Sequence, residues 1–109
     1  KSVLQSNWYY GKTFNPEEKN SSGLYVKAYL TLEKAGFDQI PTGSNWSFNE
    51  NFSSTVDFCT KNIAPERLKG FMMVPWKATV EPFRKNIEQA IDLAGDVIHR
   101  GVAQGKRKE

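Results

Sequence analysis

The feature that most constrains the fold is an alternation of strand-like and helix-like segments that occurs three times along the chain. Each strand-like segment is rich in apolar or aromatic residues and ends next to a glycine or a proline. Each is followed by apolar residues that recur at helical spacing. The order β-α-β-α-β-α predicts right-handed crossover connections and a parallel sheet, so the expected fold class is α/β with three consecutive βα units.

The predicted strands cover residues 3–10, 37–41 and 68–76. The third is an almost unbroken apolar run of strand length, which is typical of a parallel strand that is covered on both faces. Polar loops rich in Asn, Ser and charged residues are predicted over residues 12–22 and 44–51.

The helices are predicted from apolar residues at helical spacing. The first helix ends at Gly36, the residue type expected just after a helix. Asn51 is available as the N-cap of the second. Thr79 is the expected N-cap of the third, which tolerates Pro82 in its first turn. The defining apolar positions are, in order, Leu24, Ala28, Leu32 and Ala35; Phe52, Val56, Cys59 and Ile63; and Val80, Phe83, Ile87, Ala90, Ile91, Ala94, Val97 and Ile98.

Composition narrows the class of protein. Hydrophobic residues make up 39% and charged residues 25% of the 109 residues, which is ordinary globular usage and disfavours disorder, collagen and coiled coil. No apolar run approaches the roughly 20 residues that a membrane span needs. Residues 1–6 are too short and polar for a signal peptide, so no span is expected and the chain carries no targeting signal that would fix its localisation.

The basic excess is small and local. The chain has 15 Lys and Arg against 12 Asp and Glu, a formal charge of +3, and Lys106, Arg107 and Lys108 account for that excess. We therefore expect a domain over residues 1–105 and a basic tail over 106–109, without a nucleic-acid partner.

The sequence predicts neither a metal site nor a cofactor. Cys59 is the single cysteine, so no disulfide framework or cysteine-based metal site is expected, and a buried, inert thiol is the default. His99 has no second histidine or cysteine with which to form a metal site.

The carboxyl ends of the predicted strands carry aromatic and polar residues, and all three tryptophans arrive there. Parallel α/β folds bind ligands at this edge of the sheet. A tryptophan face suits the C–H face of a sugar ring, while amides and hydroxyls bond to its hydroxyl groups. In the alternative interpretation, these rings plug a barrel mouth or pack under loops. The predicted substrate-binding residues are Asn7, Trp8, Tyr9, Tyr10, Asn45, Trp46, Trp76 and Lys77.

Three runs carry a resemblance to a known family: SNWYY at residues 6–10, GFD at 36–38 leading to GSNW at 43–46, and GFMMVPW at 70–76 with a long amphipathic helix after it. Together they resemble the carboxyl-terminal third of glycoside-hydrolase-type (β/α)8 barrels, similar to secreted bacterial polysaccharide-utilisation proteins of the β-hexosaminidase family 20 type. The resemblance implies that the chain is the last part of a TIM barrel, incomplete without upstream sequence, in a parent that is periplasmic or secreted. A complete barrel of this kind needs about 250 residues.

The resemblance implies a hydrolase, but the chain has no convincing catalytic pair. Glycoside hydrolysis usually needs two carboxyl groups across the scissile bond. None of the three strand ends carries one, and Glu50, in the second loop, is only a weak catalytic candidate. In family 20 these carboxylates come from the middle strands, and its last strand commonly ends with a Trp followed closely by an acidic residue, where this chain has Trp76 and Lys77.

The function expected from these observations is the aromatic, sugar-binding wall of the active-site cleft of a carbohydrate-active barrel. Its partners would be an oligosaccharide or glycan and either the remainder of the barrel or another copy of the chain. Two alternatives stay open. One is a non-catalytic carbohydrate-binding or scaffold protein on the same barrel, and the other is a small α/β protein-interaction module that dimerises through its open sheet edge.

Overall fold

The computed structural model describes residues 3–108, with side chains described up to residue 100, and it has an α/β fold. The α-helices are α1 (Ser21–Lys34), α2 (Asn51–Asn62) and α3 (Arg84–Lys108). They alternate along the chain with the paired extended segments described next, which confirms the predicted α/β class.

Parallel pairing is confirmed in a small two-stranded sheet. Strand β1 (Thr42–Gly43) pairs in parallel with β2 (Met72–Met73), with Thr42 opposite Met72. Isolated parallel bridges extend the same alignment, because Gln39 pairs with both Gln5 and Leu68, and Trp8 pairs with Thr42. The segment 39–43 therefore lies between the amino-terminal segment and the segment that contains β2.

The strands are shorter than the sequence predicts, for local reasons. Pro41 has no N–H with which to extend the ladder of the predicted strand 37–41. Gly70 has φ +145°, which interrupts the predicted strand 68–76 two residues before β2. Residues 3–10 form only the bridges at Gln5 and Trp8 among the described residues.

Helix α1 begins within the predicted loop because Asn20 caps it. The Asn20 side chain accepts the Gly23 N–H at 3.0 Å. A Cβ at Gly23 would lie 1.9 Å from the Glu18 carbonyl oxygen, so the loop approaches the helix this closely only because that residue is glycine. At the other end Gly36 adopts φ +81°, as expected after a helix.

The main core lies where the amino-terminal segment meets α1 and α2. Its buried members are Tyr9, Val26, Tyr29, Cys59 and Ile63, and Phe14, Phe58, Leu68 and Phe71 pack against them. Burial raises the pKa of the Cys59 thiol to about 12, which fits the buried, inert thiol expected from the sequence.

The apolar stripe of α3 divides between two environments. Ala90 and Val97 are buried, whereas Ile91 and Ile98 are 65% and 61% exposed. A 3-10 turn (Glu81–Phe83) precedes α3 and is preceded by Val80, so the predicted N-cap Thr79 is not at the helix start.

The carboxyl-terminal region was predicted to end in a basic tail at 106–109. The backbone of α3 continues to Lys108, while residue 109 and the side chains of the tail lie outside the described residues. Within residues 3–108, no helix combines the length and apolarity that a membrane crossing needs.

Candidate functional site

An open groove of about 580 Å³ lies beside the end of the amino-terminal segment and the first turns of α1. We call it the aromatic groove. Aromatic rings and serine hydroxyls dominate its lining, and no carboxylate belongs to it. Its ring-bearing members are Trp8, Tyr9, Tyr10, Tyr25 and Phe48, and its serines are Ser21, Ser22 and Ser47.

Three predicted site residues, Trp8, Tyr10 and Trp76, form a cluster through two ring contacts. The Trp76 ring meets the Trp8 ring edge-to-face at 5.8 Å between centroids, and the Tyr10 ring at 6.0 Å. Edge-to-face pairs contribute about 0.5–1.5 kcal/mol each beyond their burial. Trp8 and Trp76 nevertheless remain 54% and 47% exposed, so the cluster presents indole surface to solvent.

The backbone of Trp76 is strained. Among the described residues it is the one non-glycine residue with positive φ, at 54°. For an L-residue the left-handed region costs roughly 1–2 kcal/mol, and such strain persists only where the surrounding structure imposes it, often at functional sites. Because the ring is half-exposed, burial of Trp76 in the core does not account for this conformation.

The Tyr10 hydroxyl lies inside this cluster. It is shielded from solvent, and no atom of the described residues meets hydrogen-bond geometry with it. Burial raises the pKa of Tyr10, and its polar contact with Trp76 offsets only part of that effect. Tyr10 therefore stays a neutral phenol at physiological pH.

Asn51 fixes the position of the chain segments beside the groove. Its amide nitrogen donates to the carbonyl oxygens of Tyr9 at 3.1 Å and Gly11 at 2.7 Å, and its side-chain oxygen accepts the Ser44 N–H at 2.9 Å. The predicted N-cap role of Asn51 is wrong, because Asn51 is the first residue of α2 and Glu50 precedes it without a capping bond. The side chain instead satisfies backbone groups of two distant segments.

Ser44 links the ends of the two strands. Its hydroxyl donates to the Val74 carbonyl at 2.5 Å and accepts the Trp46 N–H at 2.9 Å. The Trp46 ring is 58% exposed and makes no ring contact with another aromatic residue among the described side chains. The structure thus brings Trp8, Tyr10 and Trp76 together but leaves Trp46 apart from them.

The two predicted asparagines bond within the protein. Asn7 donates to the Tyr25 carbonyl at 2.9 Å, which links the amino-terminal segment to α1. Asn45 donates to the Asn86 carbonyl and to the Gln89 side chain, both at 3.1 Å, which ties the loop after β1 to α3. Both amides therefore position neighbouring elements.

Tyr9 and Lys77 also have partners within the fold. Tyr9 is 5% exposed and belongs to the core, and its hydroxyl donates to the Thr13 carbonyl at 2.5 Å. The Lys77 ammonium lies 5.5 Å from the centroid of the Phe83 ring. Lys77 follows the Trp76 cluster in sequence but does not line the aromatic groove.

Glu50, the weak catalytic candidate, lies in a different place. It is exposed and borders a separate groove of about 520 Å³, together with Asp96, His99 and Arg100 of α3. The described residues contain no group of three or more His, Cys, Asp or Glu side chains able to hold a metal ion. Glu50 therefore lies outside the aromatic groove, which supplies no partner carboxylate, and its catalytic role stays a prediction.

The strand ends do not predict the second wall of the groove, which comes from Tyr25, Phe48 and the three serines. A signal for part of it was present. In a βα unit the first turn of a helix lies near the carboxyl end of the preceding strand, so Ser21, Ser22 and Tyr25 belong to the same edge as Trp8.

We compared the chain with protein-family models, curated proteins and solved structures, and none of these comparisons found a match.

Proposed function

We propose that the chain forms the aromatic part of a carbohydrate-binding cleft, on a scaffold of three βα units arranged as in the last part of a (β/α)8 barrel. The parallel bridges of residues 5–8 with 39–42, and of Gln39 with Leu68, support the scaffold, because α1 and α2 are the connections between these segments. A parallel sheet places its ligands at the edge where Trp8 lies.

The observation that carries the proposal is the composition of the aromatic groove. Trp8 and Tyr25, each 54% exposed, offer flat ring surfaces. Ser21, Ser22 and Ser47 offer hydroxyls that both donate and accept hydrogen bonds. A sugar ring has apolar C–H faces and a rim of hydroxyls, so it matches both kinds of surface.

The proposed role is binding, as the wall of a cleft. General acid catalysis of glycoside hydrolysis needs a carboxyl group beside the bound sugar. None lines the aromatic groove, and Glu50 borders another one. In a complete carbohydrate-active barrel, the catalytic carboxylates would therefore come from outside this chain.

The test is the substitution Trp8→Ala with a panel of oligosaccharides built from hexose, pentose, N-acetylhexosamine and uronic acid units. Sugar binding should protect the indoles from acrylamide quenching. We expect Trp8→Ala to weaken binding by roughly 1–3 kcal/mol, the range for an aromatic anchor. The free energy of unfolding should change little, because the Trp8 side chain is 54% exposed.

Trp46→Ala is the matched control, because Trp46 is similarly exposed at 58% and does not line the groove. It should leave affinity nearly unchanged. If no oligosaccharide protects the indoles, or if Trp8→Ala destabilises the fold while affinity stays the same, the proposed function is wrong.

A further inference from the structure

We propose that the sugar bound in the aromatic groove carries an anionic group, a carboxylate or a sulfate, and that Lys12 contacts this group. The inference rests on the proposed carbohydrate-binding function and specifies the class of ligand. It follows from the position of one cation, from the charges of the groove lining and from the helix that begins there.

Lys12 holds a positive charge at the rim of the groove. It follows Gly11, which borders the groove, and its ammonium nitrogen lies 5.9 Å from the centroid of the Phe48 ring, which lines it. An ammonium over an aromatic face is attracted to the ring, so this contact restrains an otherwise flexible side chain. Among the described residues Lys12 forms no salt bridge, so its charge is not neutralised by the protein.

The lining supplies no negative charge to oppose a bound anion. The nearest acidic residues in sequence, Glu17 and Glu18, lie in the loop beyond Lys12 and outside the lining. A neutral sugar can accept a hydrogen bond from the Lys12 ammonium through a hydroxyl or ring oxygen. An acidic sugar adds the attraction between opposite charges to that hydrogen bond, so it binds more tightly than its neutral form.

The amino end of α1 acts in the same direction. Ser21 and Ser22, its first two residues, line the groove, and the Asn20 side chain caps only the Gly23 N–H. The amino end of a helix carries partial positive charge and favours a neighbouring anion. The Lys12 ammonium and the amino end of α1 therefore give the groove the same electrostatic preference.

The experiment compares charged and uncharged forms of the same sugar on the full chain. The probes are oligomers of galacturonate and of glucuronate, each paired with its methyl ester, and a sulfated galactan oligomer paired with its desulfated form. At least one acidic form should bind about two- to fivefold more tightly than its neutral partner at low salt, the range for one exposed ion pair. The difference should shrink in about 0.5 M NaCl because salt screens exposed charges. Which pair shows the difference identifies the group as a carboxylate or a sulfate.

Variants connect the preference to Lys12. Lys12→Ala should abolish the difference between the acidic and neutral forms, and Lys12→Glu should reverse it. Lys61→Ala is the matched control, because Lys61 is an exposed lysine in the last turn of α2, away from the loop that precedes that helix. It should retain the full preference.

The outcomes separate this inference from the proposed function. If each acidic form and its neutral partner bind equally, or if Lys12→Ala weakens both forms alike, the anionic preference is wrong and carbohydrate binding stands. If inorganic sulfate displaces the acidic oligomer at equal concentration, the groove is a simple anion site and the inference is also wrong. If neither the acidic nor the neutral oligomers bind, both proposals fail.

Discussion

Replacing Asn51 with alanine should be among the most destabilising polar substitutions in this chain. Asn51 is 1% exposed and makes three hydrogen bonds to the backbone of Tyr9, Gly11 and Ser44. Asn51→Ala leaves two carbonyls and one N–H without these partners. A buried group that loses its partner costs about 1–3 kcal/mol. Gly11 is half-buried, so water can reach its carbonyl, and two groups then carry the full cost. We expect a loss of about 2–6 kcal/mol.

The loss can be measured by urea denaturation followed through tryptophan fluorescence. Asn45→Ala is the control, because Asn45 also makes two side-chain hydrogen bonds but at a half-buried position that water can reach. Water replaces those bonds, so we expect a cost below about 1 kcal/mol. Asn51→Asp adds a second comparison, since an ionised carboxylate still accepts the Ser44 N–H but cannot donate to Tyr9 or Gly11.

A cost for Asn51→Ala equal to that of Asn45→Ala would refute the reasoning. It would mean that the segments beside the aromatic groove are held by other contacts. If the reasoning is right, Asn51→Ala should also weaken oligosaccharide binding under conditions where the variant remains folded, because the backbone of residues 9–11 carries one wall of the groove.

The remaining predictions concern backbone strain and an ion pair. The Trp76→Gly variant should be more stable than Trp76→Ala by about 1 kcal/mol, because position 76 has φ 54° and glycine adopts positive φ without steric cost. This is the reverse of the usual order. A higher urea midpoint for Trp76→Ala than for Trp76→Gly would contradict the prediction. Burial alone would raise the pKa of Glu33, but hydrogen bonds from Arg67 and from the Ala64 N–H, with the Arg67 charge, hold that pKa below its usual value. The resulting stabilisation is complete above the usual glutamate pKa and is lost as the pH falls through the lower folded value. The urea midpoint of Glu33→Gln should therefore fall less steeply than that of the parent chain between pH 5 and about pH 3, and parallel curves would exclude the mechanism.

The helices could be predicted because their signals are local. Gly36 marks the end of α1, and the spacing of Phe52, Val56 and Cys59 places α2 within a residue of its observed bounds. The strands were overestimated because pairing depends on backbone geometry that apolar content does not report. The 3-10 turn before α3 likewise has no apolar signature.

Sequence patterns did not predict the buried polar residues of the core or the loop residue that lines the groove. Gln39, Thr42 and Asn51 are buried although they are polar, because the side chain of each forms a hydrogen bond with a group distant in sequence. Strand ends predicted the meeting of Trp8 with Trp76. They did not place Phe48, because a loop position gives no register from which its neighbours can be read.

The pairing of residues 39–43 with segments on both sides also orders events during synthesis. Gln5 and Trp8 leave the ribosome well before Gln39 and Thr42, their bridging partners. In that interval α1, with 14 residues, is about the length at which an isolated helix is only marginally stable. The nascent chain therefore carries the Trp8 region as an exposed aromatic segment, a target for chaperones that bind such sequences. A translational slowdown before residue 39 has emerged would prolong that exposure, whereas one after residue 43 would fall on a chain that can already begin to pair.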